Sequence, residues 1–427
     1  AADSARRRSE MIWIKAPTVS RLGSAARLQA EVTIDGRDEL LWFEVPNEYA
    51  QYLVDDRADA FIVAFVNYAM RHGHDIICEA PISSKLFYQL NSYYIPALNA
   101  ADERFWTIKI QCGVTDRKLE NARAVGTGMS CGVDAFATMY LHADGNCPPN
   151  YRITHLTYFN VGGALVANRS RGYEWEDIVG FSDPDIVKRT EYINQRRFER
   201  AARFAERYGY PLVRVESNIA LVQPMRFGHN FTARSCAAVL ALQKLFAVYC
   251  FAAGVHPNQF RIMAEDDVGY YDMLSLPLFS TETTQFYSAG MAYSRIQKTQ
   301  MVSNYPPSYD FLNVCWRDDA NCGQCPKCLR TLLALDLLGV LDRYATVFDV
   351  HFYKSHREQI IGRVYANVDV DPFYEEIKGF VRENGHHWNR LAVLPHVLYF
   401  RGRSVIGRVL PSKLKSFLKK HVFGVTS

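Results

Sequence analysis

Four cysteines, Cys315, Cys322, Cys325 and Cys328, stand in the string CWRDDANCGQCPKC, a C-x6-C-x2-C-x2-C spacing. Four thiolates that converge within a few residues make a tetrahedral sulfur cage, the closed geometry of structural zinc. Gly323 and Pro326 supply the tight turns such a cage needs, and Cys315 closes it from upstream. A redox C-x-x-C pair needs only two cysteines, so the quartet predicts one structural Zn2+. The run LRTLLALDLLG follows directly and reads as a helix whose start the metal would anchor.

A second segment, ARAVGTGMSCGVDAFATMYLHA, carries a different chemistry. A short apolar stretch ends in small residues, and a helix is predicted from about Ala135. The loop between them, Ser130-Cys131-Gly132-Val133-Asp134-Ala135, would point successive backbone N–H groups out of a helix N-terminus, which suits a phosphate or pyrophosphate. The Ser130 hydroxyl adds a donor. The loop is not a Walker A motif, because no lysine follows the glycine. It is not a dinucleotide fingerprint either: Gly126-x-Gly128-x-x-Cys131 lacks the third glycine, and the next strand, ITHLTYFNVGG, reaches Asn160 where an acidic residue is required.

The loop resembles the SGGxDS pyrophosphate loop of the PP-loop ATP pyrophosphatases. Ser130, Gly132, Val133 and Asp134 agree with it; Cys131 stands for a glycine and Ala135 for a serine. The order of segments adds to the resemblance. One branch of that family, the 7-cyano-7-deazaguanine synthases of queuosine biosynthesis, carries a C-x8-C-x2-C-x2-C zinc site late in the domain. The segment HNFTARSCAAVLALQKLFAVYCFAAG is similar to the family's Arg-Asn plus long-helix segment, with His229-Asn230 at its head. SAGMAYSRIQKTQMV resembles its lysine-bearing segment, with Lys298 as counterpart. The resemblance covers roughly residues 121–340.

That resemblance implies an α/β fold: a doubly wound parallel sheet of the adenine nucleotide alpha-hydrolase-like (HUP) kind, with a zinc-bound helical extension. It implies an ATP-dependent ligase or amidase chemistry. ATP is cut between its α and β phosphates, a carboxylate or amide oxygen of a small-molecule or peptide acid is adenylated, and a nucleophile, with ammonia as a possible donor, then attacks. ATP and Mg2+ join Zn2+ as cofactors. Ser130, Cys131, Gly132, Val133, Asp134 and Ala135 would cradle the phosphates, with Phe159 near the adenine. Lys298 and Arg295 would approach the phosphates, and Asp134 would cap the helix and orient a Mg2+ shell. Two other readings stay open: a PP-loop tRNA thiolase, in which a cysteine such as Cys131 carries sulfur, and a non-enzymatic zinc protein that binds a nucleotide or a partner.

The elements that must position these groups read as three regions. Residues 1–120 look like an α+β domain of unassigned role. Alternating Leu28, Ala30, Val32 and Ile34, the Asp35-Gly36 turn and LLWFEV predict a hairpin. Helix is expected over 47–72, a short strand at IICEA, a helix from Ser83 to Tyr94 stopping before Pro96, and a strand at Phe105–Cys112. Residues 121–345 alternate strand and helix, as a parallel sheet requires. Within them Ala237–Ala253 reads as one buried helix, too short and too interrupted to span a membrane. Residues 346–427 read as helical.

Composition fits this picture. The 427 residues include 48% hydrophobic and 22% charged, which excludes a disordered or membrane-embedded chain. The six cysteines outside the quartet follow no framework spacing, which predicts reduced thiols and a cytoplasmic setting. The N-terminal AADSARRRSE has no apolar stretch behind it and does not read as a signal peptide. Residues 401–427 hold seven basic residues and no acidic one; removing those seven leaves 42 basic against 45 acidic. There Leu410, Leu414, Phe417 and Leu418 share one helical face, so a peripheral membrane contact is one expectation and a docked terminal helix the other. The mildly acidic body predicts no stable nucleic-acid partner. Arg196, Arg200, Arg203 and Arg207 then read as a solvated face, with Glu199 pairing to Arg203. A homodimer is a further expectation.

Overall fold

A computed structural model describes residues 11–165, 184–368 and 371–409 of the chain. The strands are β1 (Met11–Ile14), β2 (Thr18–Leu22), β3 (Ala25–Ile34), β4 (Arg37–Pro46), β5 (Asp75–Cys78), β6 (Ile82–Ser83), β7 (Ile110–Gln111), β8 (Val114–Thr115), β9 (Ala124–Gly128), β10 (His155–Asn160), β11 (Leu212–Ser217), β12 (Phe246–Ala252) and β13 (Gln285–Ala289). Eleven of them form one sheet in the order β13-β12-β9-β10-β11-β4-β3-β1-β5-β7, with β2 beside β3.

The half from β13 to β11 is parallel throughout. Its chain order reverses at β9: β10 and β11 lie on one side, β12 and β13 on the other. This is the arrangement in which the carboxyl ends of the two central strands leave an open crevice. Helices cover both faces. Asp59–His72, Phe231–Leu240 and Asp272–Leu278 pack on one, around Phe61, Phe65, Ala237 and Leu276. Val133–Leu141, Pro184–Tyr208 and Pro326–Leu337 pack on the other, where Phe136 meets Phe204 edge-on at 5.3 Å.

The N-terminal region joins this sheet. Strand β4 pairs antiparallel with β11, and Asn218 prolongs the ladder, accepting from the Trp42 amide at 3.0 Å and donating to the Leu40 carbonyl at 2.7 Å. The boundary expected near residue 120 therefore marks a change from mixed to parallel pairing within one continuous sheet. The predicted hairpin forms with Asp35 and Gly36 at φ 52 and 75, the left-handed pair that a two-residue turn demands.

Several local expectations are corrected. Ala237–Ala253 is not one helix: the helix ends at Leu240, and Phe246–Ala252 is the strand β12, because pairing with β9 and β13 on both sides outweighs helical continuity. The helix expected over 47–72 is interrupted: a 3-10 turn spans Asn47–Tyr52, Leu53 is extended and the Val54 amide donates to the Ala241 carbonyl, and the α-helix begins at Asp59. The helix capped by Ser83 does not stop before Pro96. A π turn at Leu90–Tyr94 leads into Ile95–Ala101, where proline falls in a first turn that needs no N–H from it. Of Phe105–Cys112 only Ile110–Gln111 pairs.

The C-terminal region is helical: Val350–Ser355, Arg357–Ala366, Pro372–Glu383 and Arg390–Val409. Its core is Ile361, Val364, Ile377 and Val381 against Leu333 and Leu337. The helix Pro326–Leu337 thus serves two cores, one on each side. Gly362 is where Arg357–Ala366 crosses Arg390–Val409; a Cβ there would come within 2.4 Å of the His396 Cβ.

Candidate functional site

The four cysteine sulfurs lie within 4.8 Å of one another. Cys322 and Cys328 Sγ are 4.0 Å apart, close to the roughly 3.8 Å edge of a tetrahedron with Zn–S bonds of about 2.3 Å. The Cys325 amide donates to Cys322 Sγ at 3.3 Å, and the Cys328 amide to Cys325 Sγ at 3.4 Å. Cys315, Cys325 and Cys328 are buried, and Cys322 faces solvent. Hydrogen bonds from Cys325 and Cys328 hold the Cys315 thiol far below its ordinary range, while sharing those bonds pushes Cys328 far up. Four sulfurs this close, three of them buried, cannot all ionise together without a cation, and a divalent metal removes that conflict. The quartet fits a metal such as zinc, and the helix read from Leu329 begins at Pro326, with Cys325 as its cap.

The loop after β9 sits at the crevice where the sheet order reverses. Cys131 adopts φ 58, a left-handed conformation that glycine takes freely and cysteine takes at a cost. This is the physical reason a glycine would suit the position. The side chain turns inward and packs with Val125, Val133 and Leu312, so it does not fill the space above the loop. Burial pushes its thiol up to about 12, which rules out the activated thiolate that a helix N-terminus would otherwise favour. Among the described residues, the backbone amides of Ser130, Cys131, Val133, Asp134 and Ala135 have no acceptor, whereas Gly132 donates weakly to Ser130 Oγ at 3.3 Å. The Cys131 carbonyl accepts from the Asn313 amide at 2.8 Å. Asn313 in turn accepts from the Cys315 amide. The cysteine segment therefore holds the loop directly.

Asp134 does not cap its helix; Gly132 is the cap residue and no side chain serves there. The Asp134 carboxylate instead meets Arg295 Nη1 at 2.7 Å and Lys298 Nζ at 3.4 Å, both on Oδ1. Burial alone would raise its pKa, but Arg295 and Lys298 outweigh it and hold the carboxyl below its ordinary value. Lys298 also donates to the Ala253 carbonyl at 2.6 Å, and Arg295 to that of Gly254 at 3.1 Å, just past the end of β12. The helix Arg295–Ser303 opens with a capping box at Ser294 and Gln297, which aims both cations back toward β9.

Two more cations come from the first turns of the cysteine-capped helix. Lys327 is exposed, in the first turn of that helix. Desolvation by the surrounding protein lowers its pKa first, then repulsion from Arg330 and Arg295, against attraction from Asp134. Arg330 lies over the Phe373 ring at 4.0 Å, and Arg295 over the same ring at 5.0 Å. Arg295 and Lys298 thus touch Asp134 directly, and Lys327 and Arg330 stand near enough to feel its charge, beside a row of open amides. Sequence reasoning missed Lys327 and Arg330. The Pro-Lys-Cys step inside the quartet was the available signal, since a metal that fixes a helix start also fixes what its first turn presents.

Other expected residues fall elsewhere. Phe159 stacks on Tyr249 at 6.0 Å and packs into the core of the sheet face opposite the loop helix. No described contact joins it to Ser130–Ala135. On the helix Pro184–Tyr208, Arg196, Arg203 and Arg207 are exposed, as a solvated face requires, while Arg200 is half-buried and Glu199 pairs with Arg196 in place of Arg203. Arg197 donates to the Trp316 carbonyl, Arg200 to that of Asp319, and Arg196 bridges Glu199 and Asp319. This clamps the cysteine segment. His229 is half-buried at the end of a short turn, with its pKa lowered by burial. Glu265 pairs with Arg71 and Asp266 with Arg261; Asp267 caps Gly269. His386 stacks on Phe380. Among the described residues the cysteine quartet is the single group of three or more His, Cys, Asp or Glu placed to hold a metal. The loop therefore offers Mg2+ no carboxylate cluster of its own. No helix of the described residues is long and apolar enough to cross a membrane. The proposed tail face of Leu410, Leu414, Phe417 and Leu418 lies outside those residues.

Searches found no matching family model, no matching curated protein and no matching solved structure.

Proposed function

We propose that the crevice beyond β9 and β12 binds the phosphates of a nucleotide, and that the chain is an ATP-dependent adenylating enzyme similar to the PP-loop ATP pyrophosphatases. The observation that supports this most is the pairing of open amides at Ser130–Ala135 with Arg295, Lys298, Lys327 and Arg330. Amides at a helix N-terminus and nearby cations are what a leaving pyrophosphate needs, because charge develops there as the α–β bond breaks. The strand order β11-β10-β9-β12-β13 supports a sheet of the adenine nucleotide alpha-hydrolase-like kind.

In this reading an acid's carboxylate oxygen attacks the α phosphorus of ATP. The α–β bond breaks, pyrophosphate leaves with the electron pair, and an acyl adenylate remains. The open amides bind the departing phosphates, and Lys298 and Arg295 neutralise them. Asp134 keeps both cations in place while the site is empty. Mg2+ would enter with the nucleotide and screen its phosphates. Zinc would be structural, because its four positions are filled by sulfur.

The thiolase reading is less favoured. All six cysteines outside the quartet have thiol pKa values raised by burial, so none is poised to carry sulfur. Calorimetric titration with Mg-ATP is the direct test. Binding should be lost or weakened by more than about tenfold in Lys298→Met. An absence of ATP binding by the zinc-loaded chain would leave a metal-stapled binding protein.

A further inference from the structure

The geometry points to a second ligand site beside the phosphate crevice, built by the C-terminal helices and suited to a small organic acid with an apolar body. A cavity of about 700 Å³ opens between the start of Pro326–Leu337 and the helices Arg357–Ala366, Pro372–Glu383 and Arg390–Val409. That volume holds a small molecule. Tyr270, Phe373, Tyr374 and Phe400 give it apolar walls, and Arg330 and Arg363 give it two cations.

The cations are short of negative charge. Asp371 is the carboxylate that lines the cavity, and it approaches Arg330 only to 4.0 Å. Arg363 spends one N–H on the Gln324 carbonyl at 3.3 Å and lies 5.8 Å from the Phe400 ring. Two guanidiniums face a single carboxylate that is already engaged in capping Pro372–Glu383 through the Phe373 amide at 3.0 Å; among aromatic walls they select an anion with an apolar body, since a low-dielectric surround strengthens that pairing. A neutral analogue would leave both guanidiniums unmet.

The cavity's place gives the ligand a role. The Phe373 ring has Arg330 on the cavity side at 4.0 Å and Arg295 at 5.0 Å, and Arg295 holds Asp134 at the loop. An acid bound at Arg330 is thus separated by one aromatic ring from Arg295, which reaches the loop. We assign this cavity as the acceptor site that delivers a carboxylate to ATP, an assignment that rests on the nucleotide reading above. It gives the C-terminal region a function: Arg363 on one of its helices ties the cysteine loop, through Gln324, to the wall of the acid site.

The test uses the full zinc-loaded chain and three probes: benzoate, cyclohexanecarboxylate and benzamide. Binding is read by saturation-transfer NMR and calorimetry, with Mg-ATP titrated separately. Both acids should bind, and benzamide should bind at least about tenfold more weakly, the scale of one charge-assisted hydrogen bond. Arg363→Gln should weaken both acids by a similar factor and leave Mg-ATP affinity unchanged. Asn367→Trp, which fills the cavity, is the second variant and should abolish acid binding. Equal binding of acid and amide, or acid binding untouched by both variants, overturns the site. Acid binding that depends on Arg363 in a chain that fails to bind Mg-ATP upholds the acid site and overturns the nucleotide assignment alone.

Discussion

Replacing Asp134 by asparagine should unbalance the crevice in a way that an anion repairs. In the folded chain Asp134 Oδ1 lies 2.7 Å from Arg295 and 3.4 Å from Lys298, and those two side chains are only 13% and 3% exposed. One such pair at about 4 Å charge separation contributes roughly 4 kcal/mol at an effective dielectric near 20. Removing one partner of a buried pair costs about 3–5 kcal/mol, because the other charge stays desolvated. Asp134→Asn should therefore lose about 3 kcal/mol in urea unfolding at pH 7. Asp134 is held below its ordinary value of 3.8. Its contribution is fully present above that pH and is lost as pH falls through the lower folded value, so the gap between the two proteins should close below about pH 4. Inorganic pyrophosphate supplies the missing charge. A ligand at a hundred times its Kd contributes about 2.7 kcal/mol, and the variant should gain more than the wild type, since no carboxylate competes for Arg295 and Lys298. An unchanged urea midpoint, or equal gains from pyrophosphate in both proteins, would refute the argument that these cations await an anion.

Further outcomes follow from single contacts. Atomic absorption should find one zinc per chain, and Cys328→Ser should lose it. Because Asn313 links the cysteine segment to the Cys131 carbonyl, that loss should also weaken pyrophosphate binding, read by calorimetry. Asp272 is buried, accepts from Thr232 Oγ1 at 2.6 Å, and has its carboxyl pushed up from 3.8 to about 7 by burial. A raised acid costs stability as pH climbs past the unfolded value, so Asp272→Asn should stabilise the chain most near pH 8, by up to roughly 4 kcal/mol, and much less at pH 5. Urea midpoints at the two pH values check the sign. Gly126 admits no Cβ, which would lie 2.6 Å from Phe246 and 2.8 Å from Tyr249. Gly126→Ala should destabilise by about 1–3 kcal/mol, measured by thermal unfolding.

The metal cage was legible from spacing alone, because four cysteines within fourteen residues can hardly avoid converging once Gly323 and Pro326 turn the chain. The Asp35-Gly36 hairpin was legible for the same reason: both rest on local geometry. The loop Ser130–Ala135 was found from its small residues, and Lys298 and Arg295 from the resemblance, but not what joins them. That Asp134 pairs with two cations and caps nothing depends on β9 and β12 being neighbours across a long stretch of chain.

Where periodicity misled, long-range pairing had decided the matter. Phe246–Ala252 has the apolar content of a buried helix and becomes a strand because β9 and β13 flank it. Among the arginines of Pro184–Tyr208, Arg203 and Arg207 are exposed as the sequence suggests, whereas Arg197 and Arg200 clamp a loop more than a hundred residues away. Composition and spacing determined which atoms could bind a metal or a phosphate, since those depend on side-chain chemistry and a few neighbouring dihedrals. Only the tertiary structure decided that Lys327 and Arg330 join the crevice, that the N-terminal strands extend its sheet, and that the C-terminal helices wall a second cavity, because burial and charge crowding are properties of surroundings that the chain acquires on folding.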